Sequence, residues 1–138
     1  MSAGGHRALP HTADLRIEAW APTREACIGE AVAGLAEAFV SVPDGVPVSR
    51  VRAELAADTG EDALVAVLDE AIYLTDTSDA VAVRADLTAT AGGVRVTFDT
   101  VPLDRVELVG AVPKAVTLHR LRLTEDAGGW TCSVVVDV

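Results

Sequence analysis

Apolar and polar residues alternate from Thr12 to Trp20. Leu15, Ile17 and Ala19 fall on one side, and Asp14, Arg16, Glu18 and Trp20 on the other. A period of two is that of a strand with one buried face. The period then lengthens. Pro22 and Thr23 open a segment in which Ile28, Ala31, Val32, Leu35, Ala36 and Phe39 recur at helical spacing, with Thr23 as the expected N-cap. Two prolines and a glycine within Val42–Pro47 predict a loop. Alternation returns at Val51, Ala53 and Leu55. Thr59-Gly60-Glu61-Asp62 next has the form of a helix start, a hydroxyl cap followed by acids at the positive end of the macrodipole. Leu64, Val67, Leu68, Ala71 and Ile72 supply that helix's stripe, which is expected to fail between Thr75 and Ser78.

The second half of the chain reads as strands. Val81, Val83, Ala85 and Leu87 mark one, Val94, Val96 and Phe98 the next, and the short Ala91-Gly92-Gly93 link predicts an antiparallel hairpin. No clear pattern runs from Asp99 to Val112, which is expected to be mostly loop. In Ala115–Leu123 the apolar side changes: Val116 and Leu118 share one parity, Leu121 and Leu123 the other. Either both faces are covered or a bulge switches the register. A turn at Asp126–Gly129 leads into a closing strand, Trp130–Val138, apolar on both faces. The fold class expected is α+β: a single compact domain with two helices packed on a largely antiparallel β-sheet. Residues 1–10 are expected to be a flexible lead into a domain spanning 11–138.

Composition narrows the function. The 138 residues suffice for one domain with a real core. Eleven Lys and Arg against twenty-one Asp and Glu leave a net charge of −10. No direct nucleic-acid binding is expected of so acidic a chain, because phosphate backbones are held by clustered cations. No apolar run approaches a membrane span, and Met1–Pro10 has no apolar signal core, so no membrane association and a cytoplasmic location are expected. Cys27 and Cys132 lack metal-site spacing and read as small buried hydrophobes. No phosphate-binding glycine loop, nucleophile elbow or zinc-protease motif is present, so no enzyme activity is expected.

One feature of the pattern bears on chemistry. The closing strand is apolar through Val134-Val135-Val136, then presents Asp137 and ends at Val138, whose main-chain carboxylate adds a second anion. Two such groups either reach solvent at the rim or share a hard cation that takes oxygen ligands. Asp14 is the natural third ligand, or else a strand-end cap. His11 could support a carboxylate or sit in a loop. Asp76 and Asp79 could bind or could cap a turn. In a regular strand Lys114 and His119 would point to opposite faces, and Trp20 and Trp130 read as packing residues.

Taken together, His11-Thr12-Ala13-Asp14-Leu15, Ala71-Ile72-Tyr73-Leu74-Thr75-Asp76-Thr77, Lys114-Ala115-Val116-Thr117-Leu118-His119 and the close from Gly129-Trp130 to Val134-Val135-Val136-Asp137-Val138 resemble the archease family in order and spacing. The resemblance spans His11 to Val138. It implies a metal-binding accessory protein of the GTP-dependent RNA-splicing ligase of the RtcB type, which promotes guanylylation of the ligase and its multiple turnover. It carries metal ligation onto Asp14, Asp137 and Val138, with calcium foremost and magnesium or manganese as alternatives. His11, Asp76, Lys114 and His119 become candidates for supporting those ligands or touching the partner. The chain departs from the family pattern at Leu118, where an aromatic is common, at Arg120, where glycine is common, and at Thr75, where an aromatic is common. The alternative function is a general protein-binding, chaperone-like module without metal chemistry.

Overall fold

The first alternating segment and the last lie side by side. The computed structural model describes residues 3–10 and 14–138. In it β2 (Asp14–Ala21) pairs antiparallel with β9 (Gly129–Asp137), Ile17 opposite Val134 and Asp14 opposite Asp137. β1 (Gly5–Pro10) flanks β2, and β8 (Ala115–Asp126) flanks β9, giving a four-stranded sheet ordered β1-β2-β9-β8. A second sheet is formed by β4 (Ser49–Ala56), β6 (Gly93–Pro102) and β5 (Ala80–Thr90), with β6 central. A third contains only β3 (Val40–Ser41) and β7 (Glu107–Leu108). All pairings are antiparallel.

Two helices fill the space between the larger sheets. α1 (Arg24–Phe39) contacts β1, β2, β9 and β5, and α2 (Gly60–Ser78) contacts β4, β5, β6 and β8. Both begin as the hydroxyl caps predict. Thr23 accepts from the Ala26 N–H at 3.1 Å and Thr59 from the Asp62 N–H at 3.0 Å. α2 stops at Asp79, which takes a left-handed conformation (φ 51°). The core joins Ile17, Ile28, Val32, Leu64, Leu68, Phe98 and Val134, all fully buried. Cys27 and Cys132 are inside it. Cys132 stands opposite Ala19, whose carbonyl lies 3.6 Å from Cys27 Sγ. A hydrogen bond with Cys27, with burial, pushes the Cys132 thiol well above its ordinary range, so it is held protonated. Among the described residues no helix is long and apolar enough to cross a membrane.

The structure corrects two expectations. Residues 5–10 are not a flexible lead, because their main chain is taken up in a ladder with β2 from Gly5–Trp20 to Pro10–Leu15. The segment 99–112 is not mostly loop: β6 runs on to Pro102, a 3-10 turn occupies Leu103–Arg105 and β7 follows. Its alternation is hidden because Thr100 is buried and donates to the Ser49 carbonyl, a polar residue standing where an apolar one would mark the face. The expected α+β class, two helices with largely antiparallel strands, is what the structure has, the strands dividing among three sheets.

Gly29 lets α1 approach β5, since a Cβ there would stand 2.7 Å from the Ala85 carbonyl oxygen. Gly29→Ala should therefore destabilise the fold by about 1–3 kcal/mol despite alanine's better helix propensity. A shift of the guanidinium unfolding midpoint to higher denaturant would contradict this packing.

Candidate functional site

Pleating sorts β2 cleanly. Leu15, Ile17, Ala19 and Ala21 are buried, while Asp14, Arg16, Glu18 and Trp20 face outward and are half-buried. Cross-strand partners share a face. The outer face of the four-stranded sheet is therefore a grid. Asp14, Asp137 and Ala115 form one row; Arg16, Val135 and Thr117 the next; Glu18, Ser133 and Arg122 the third.

The first row is the candidate site. Asp14 and Asp137 are direct partners at the ends of β2 and β9. Directly opposed residues in an antiparallel pair hold their Cβ atoms about 4.5–5.5 Å apart, and like charges so placed destabilise the pair. Among the described residues neither carboxylate has a cationic side chain bonded to it. Val138 packs against the core, which anchors the chain just beyond Asp137. The Lys114 N–H donates to the Asp137 carbonyl at 2.8 Å, tying the approach to β8 to the same corner. The donor chemistry is that of hard anionic oxygen, which fits a hard divalent ion. Among the described residues no group of three or more His, Cys, Asp or Glu could hold an ion. The two aspartates would therefore need oxygens from the main chain and water.

The remaining sequence candidates separate. His119 comes to this corner, lining a cleft of about 230 Å³ with Asp14, Arg16, Arg120 and Val135. Asp76 does not. It lies toward the end of α2 and lines a different hollow with Asp69, Tyr73 and Lys114. Burial raises the Asp69 carboxyl above its usual range, partly offset by a hydrogen bond with the Val116 backbone. Lys114 thus meets Asp137 through its main chain and also borders Asp76's hollow. The parity rule that set Lys114 and His119 on opposite faces has no purchase, since Lys114 precedes β8 and β8 is irregular between Thr117 and Arg122. That irregularity is the register switch the sequence offered as one of two readings. His11 lies outside the described residues. Trp20 is half-buried under the Arg7 guanidinium, 5.1 Å from the ring centre, a packing role.

Pattern reading missed Arg16 and Arg120 as site residues. Arg16 looked like any outward residue of an amphipathic strand. The signal at Arg120 was its departure from a common glycine, and the structure gives the reason glycine suits that place: φ is 58°.

Comparison with known proteins follows the same lines. Residues 6–138 match the model of the Archease protein family (MTH1598/TM1083). The chain is 49% identical over 137 residues to a probable protein archease of Mycobacterium tuberculosis (strain ATCC 25618 / H37Rv), covering 99% of this chain and 76% of that one. It is 30% identical over 142 residues to protein archease of Archaeoglobus fulgidus, covering 96% and 98%. The fold is similar to the solution structure of Methanobacterium thermoautotrophicum protein 1598 (TM-score 0.70, 19% identity, 97% and 99% covered). It is also similar to the crystal structure of a Thermotoga maritima archease described as a possible chaperone (TM-score 0.65, 24% identity, 94% of each chain covered).

Facing carboxylates without a cation should weaken the fold. In metal-free, low-salt buffer at neutral pH, Asp14→Asn or Asp137→Asn should each stabilise the protein by about 0.5 kcal/mol, through loss of cross-strand repulsion. Urea unfolding measures this, and a destabilisation in both variants would contradict it.

Proposed function

The chain belongs to the archease family, and from that premise and the apposition of Asp14 with Asp137 we propose that it is a divalent-metal-binding accessory protein, itself non-catalytic, that activates a GTP-dependent RNA-splicing ligase of the RtcB type in the cytoplasm. The observation that supports this most is the pairing of two like-charged side chains at one strand end, with no cationic side chain bonded to either among the described residues. Asp14, Asp137 and the main chain of Val138 would hold the ion, calcium foremost, with magnesium or manganese as alternatives. A bound ion would neutralise the two carboxylates and, with so few protein ligands, keep much of its coordination sphere open to water.

The residues around the site suit a partner more than a reaction. Asp14 and Asp137 stand at an exposed corner of the sheet rather than inside an enclosed pocket. The net charge of −10 would steer encounter with a basic ligase surface. His119 and the hollow shared by Asp76, Tyr73 and Lys114 flank the corner on two sides and are the candidate partner contacts. In this reading the protein favours guanylylation of the ligase and its repeated turnover, and seals no RNA itself.

A second reading, a general chaperone-like module, draws on the exposed Leu118, Val48, Tyr73, Leu108 and Val109 and on the description of the Thermotoga protein as a possible chaperone. An aromatic content of only 4% gives it little of the surface that promiscuous binding favours.

Asp137→Ala, and separately an extension added after Val138, should abolish stimulation of guanylylation when such a ligase is assayed with radiolabelled GTP, while the variants stay folded by circular dichroism. Full stimulation by both would overturn the role given to this corner. Suppression of aggregation of an unrelated protein by both variants alike would favour the second reading.

A further inference from the structure

Five of the chain's eleven Lys and Arg are spoken for. Among the described residues Arg7, Arg24, Arg50, Arg84 and Arg95 each lie 2.7–3.8 Å from a carboxylate. Arg16, Arg52, Arg105, Lys114, Arg120 and Arg122 have no such partner, in a protein with twenty-one acidic residues to choose from. Three of these six, Arg16, Arg120 and Arg122, gather on one face. Arg16 and Arg120 line both the cleft beside Asp14 and a neighbouring hollow of about 370 Å³ that adds Arg122, Leu121 and Ser133.

Three features make this more than a chance grouping of surface charge. First, Thr117 pairs with Val135 and the next pair is Arg122 with Ser133, so residues 118–121 stand out of register. Val135 faces outward yet is only 8% exposed, and His119 and Arg120 share its cleft. Second, Arg120 holds a left-handed backbone (φ 58°), a conformation that disfavours any side chain with a Cβ. Strain of that kind persists where surroundings impose it and gathers at functional sites. Third, Arg16 Nε donates to Ser133 Oγ at 3.3 Å. This orients the guanidinium and leaves its two terminal nitrogens for a ligand. In the same row Thr117 keeps a buried hydroxyl with no partner among the described residues.

We infer that Arg16 and Arg120, with Arg122 and His119 beside them, form a phosphate-binding subsite on the outer face of the sheet. Guanidinium forks match the tetrahedral oxygens of a phosphate monoester, which can accept bidentate bonds from two arginines at once. Asp14 at the edge selects further. It repels a simple anion, but a phosphate can share a divalent ion with a carboxylate, as hard cations commonly do. The ligand class is therefore a phosphate monoester or terminal polyphosphate, taken up alone through the arginines and more tightly with a divalent ion. Only the second part rests on the metal reading above.

The test is an amide NMR titration of the full chain in low salt with inorganic phosphate, with adenosine triphosphate and with a glutamate-rich peptide, each in chelator and then with calcium. The expected result is saturable shifts confined to residues near 16, 119–122 and 133 on adding phosphate in chelator. Arg16→Gln and Arg120→Gly should each weaken phosphate about tenfold, the effect of losing one charge-assisted contact. Arg120→Gly should unfold at the same temperature or higher, because glycine removes the strain, so lost binding cannot be put down to misfolding. If adenosine triphosphate shifts the same residues more strongly, the source is a nucleotide; equal shifts make it a free phosphate. Phosphate that causes no localised shift, that binds both variants as it binds the parent, or that is matched by the peptide overturns the inference. A calcium titration of the parent chain separates the two readings: phosphate binding without calcium binding removes the metal site and leaves the subsite standing, and the reverse removes the subsite.

Discussion

The pairing of β2 with β9 is the constraint on which the rest depends. It joins residues near the start of the chain to its close, eight register positions long, from Asp14–Asp137 to Ala21–Trp130. Along it every second step delivers Leu15, Ile17, Ala19, Val134 and Val136 to the core. The intervening steps set Asp14, Arg16, Glu18, Ser133, Val135 and Asp137 outside. A slip of one residue would send the polar set inward and the apolar set to water, so the register is fixed by several buried side chains at once. The apposition of Asp14 and Asp137 is a consequence. Hydrophobic burial elsewhere in the ladder holds two carboxylates together that would otherwise move apart.

That arrangement divides the outer face by charge. The corner row is acidic, and the rows beside it carry Arg16 and Arg122, with Arg120 brought in from the irregular stretch of β8. An acidic chain has put three of its unpaired arginines next to two facing aspartates without joining them in ion pairs among the described residues. The proposed cation and the proposed phosphate would each meet charge of the opposite sign on such a surface. The exposed flank near Lys114 and Asp76 extends the face toward α2.

Much of this was legible in the sequence, for reasons that particular residues make plain. β2, α1, α2 and the β5–β6 hairpin were read from periodicity because each buries one face only, and Thr23 and Thr59 marked the helix starts because a hydroxyl cap has few other uses before such a stripe. The site was half legible. Asp137 stood out because a carboxylate closes an apolar strand, and Asp14 because it opens the first one, but nothing local says that the two face each other across a ladder. β1 was not legible: His6 reaches back to Glu30 and Glu37 on α1, a tertiary anchor that no local pattern announces. Nor was the Arg16–Arg120 pairing, since it depends on how far the β8 bulge displaces its residues, and parity in sequence stops predicting direction there. Asp76 was named as a candidate to support the ligands or touch a partner, and the helix end carries it to another hollow.

The most direct test of the central claim is anomalous scattering from crystals grown with manganese, which reports where a divalent ion sits without reference to any activity. The account predicts one strong peak between the strand ends, within about 2.6 Å of carboxylate oxygens from both Asp14 and Asp137, the range of hard-cation coordination. A well-ordered corner with no peak, or a peak touching only one of the two aspartates, would contradict it.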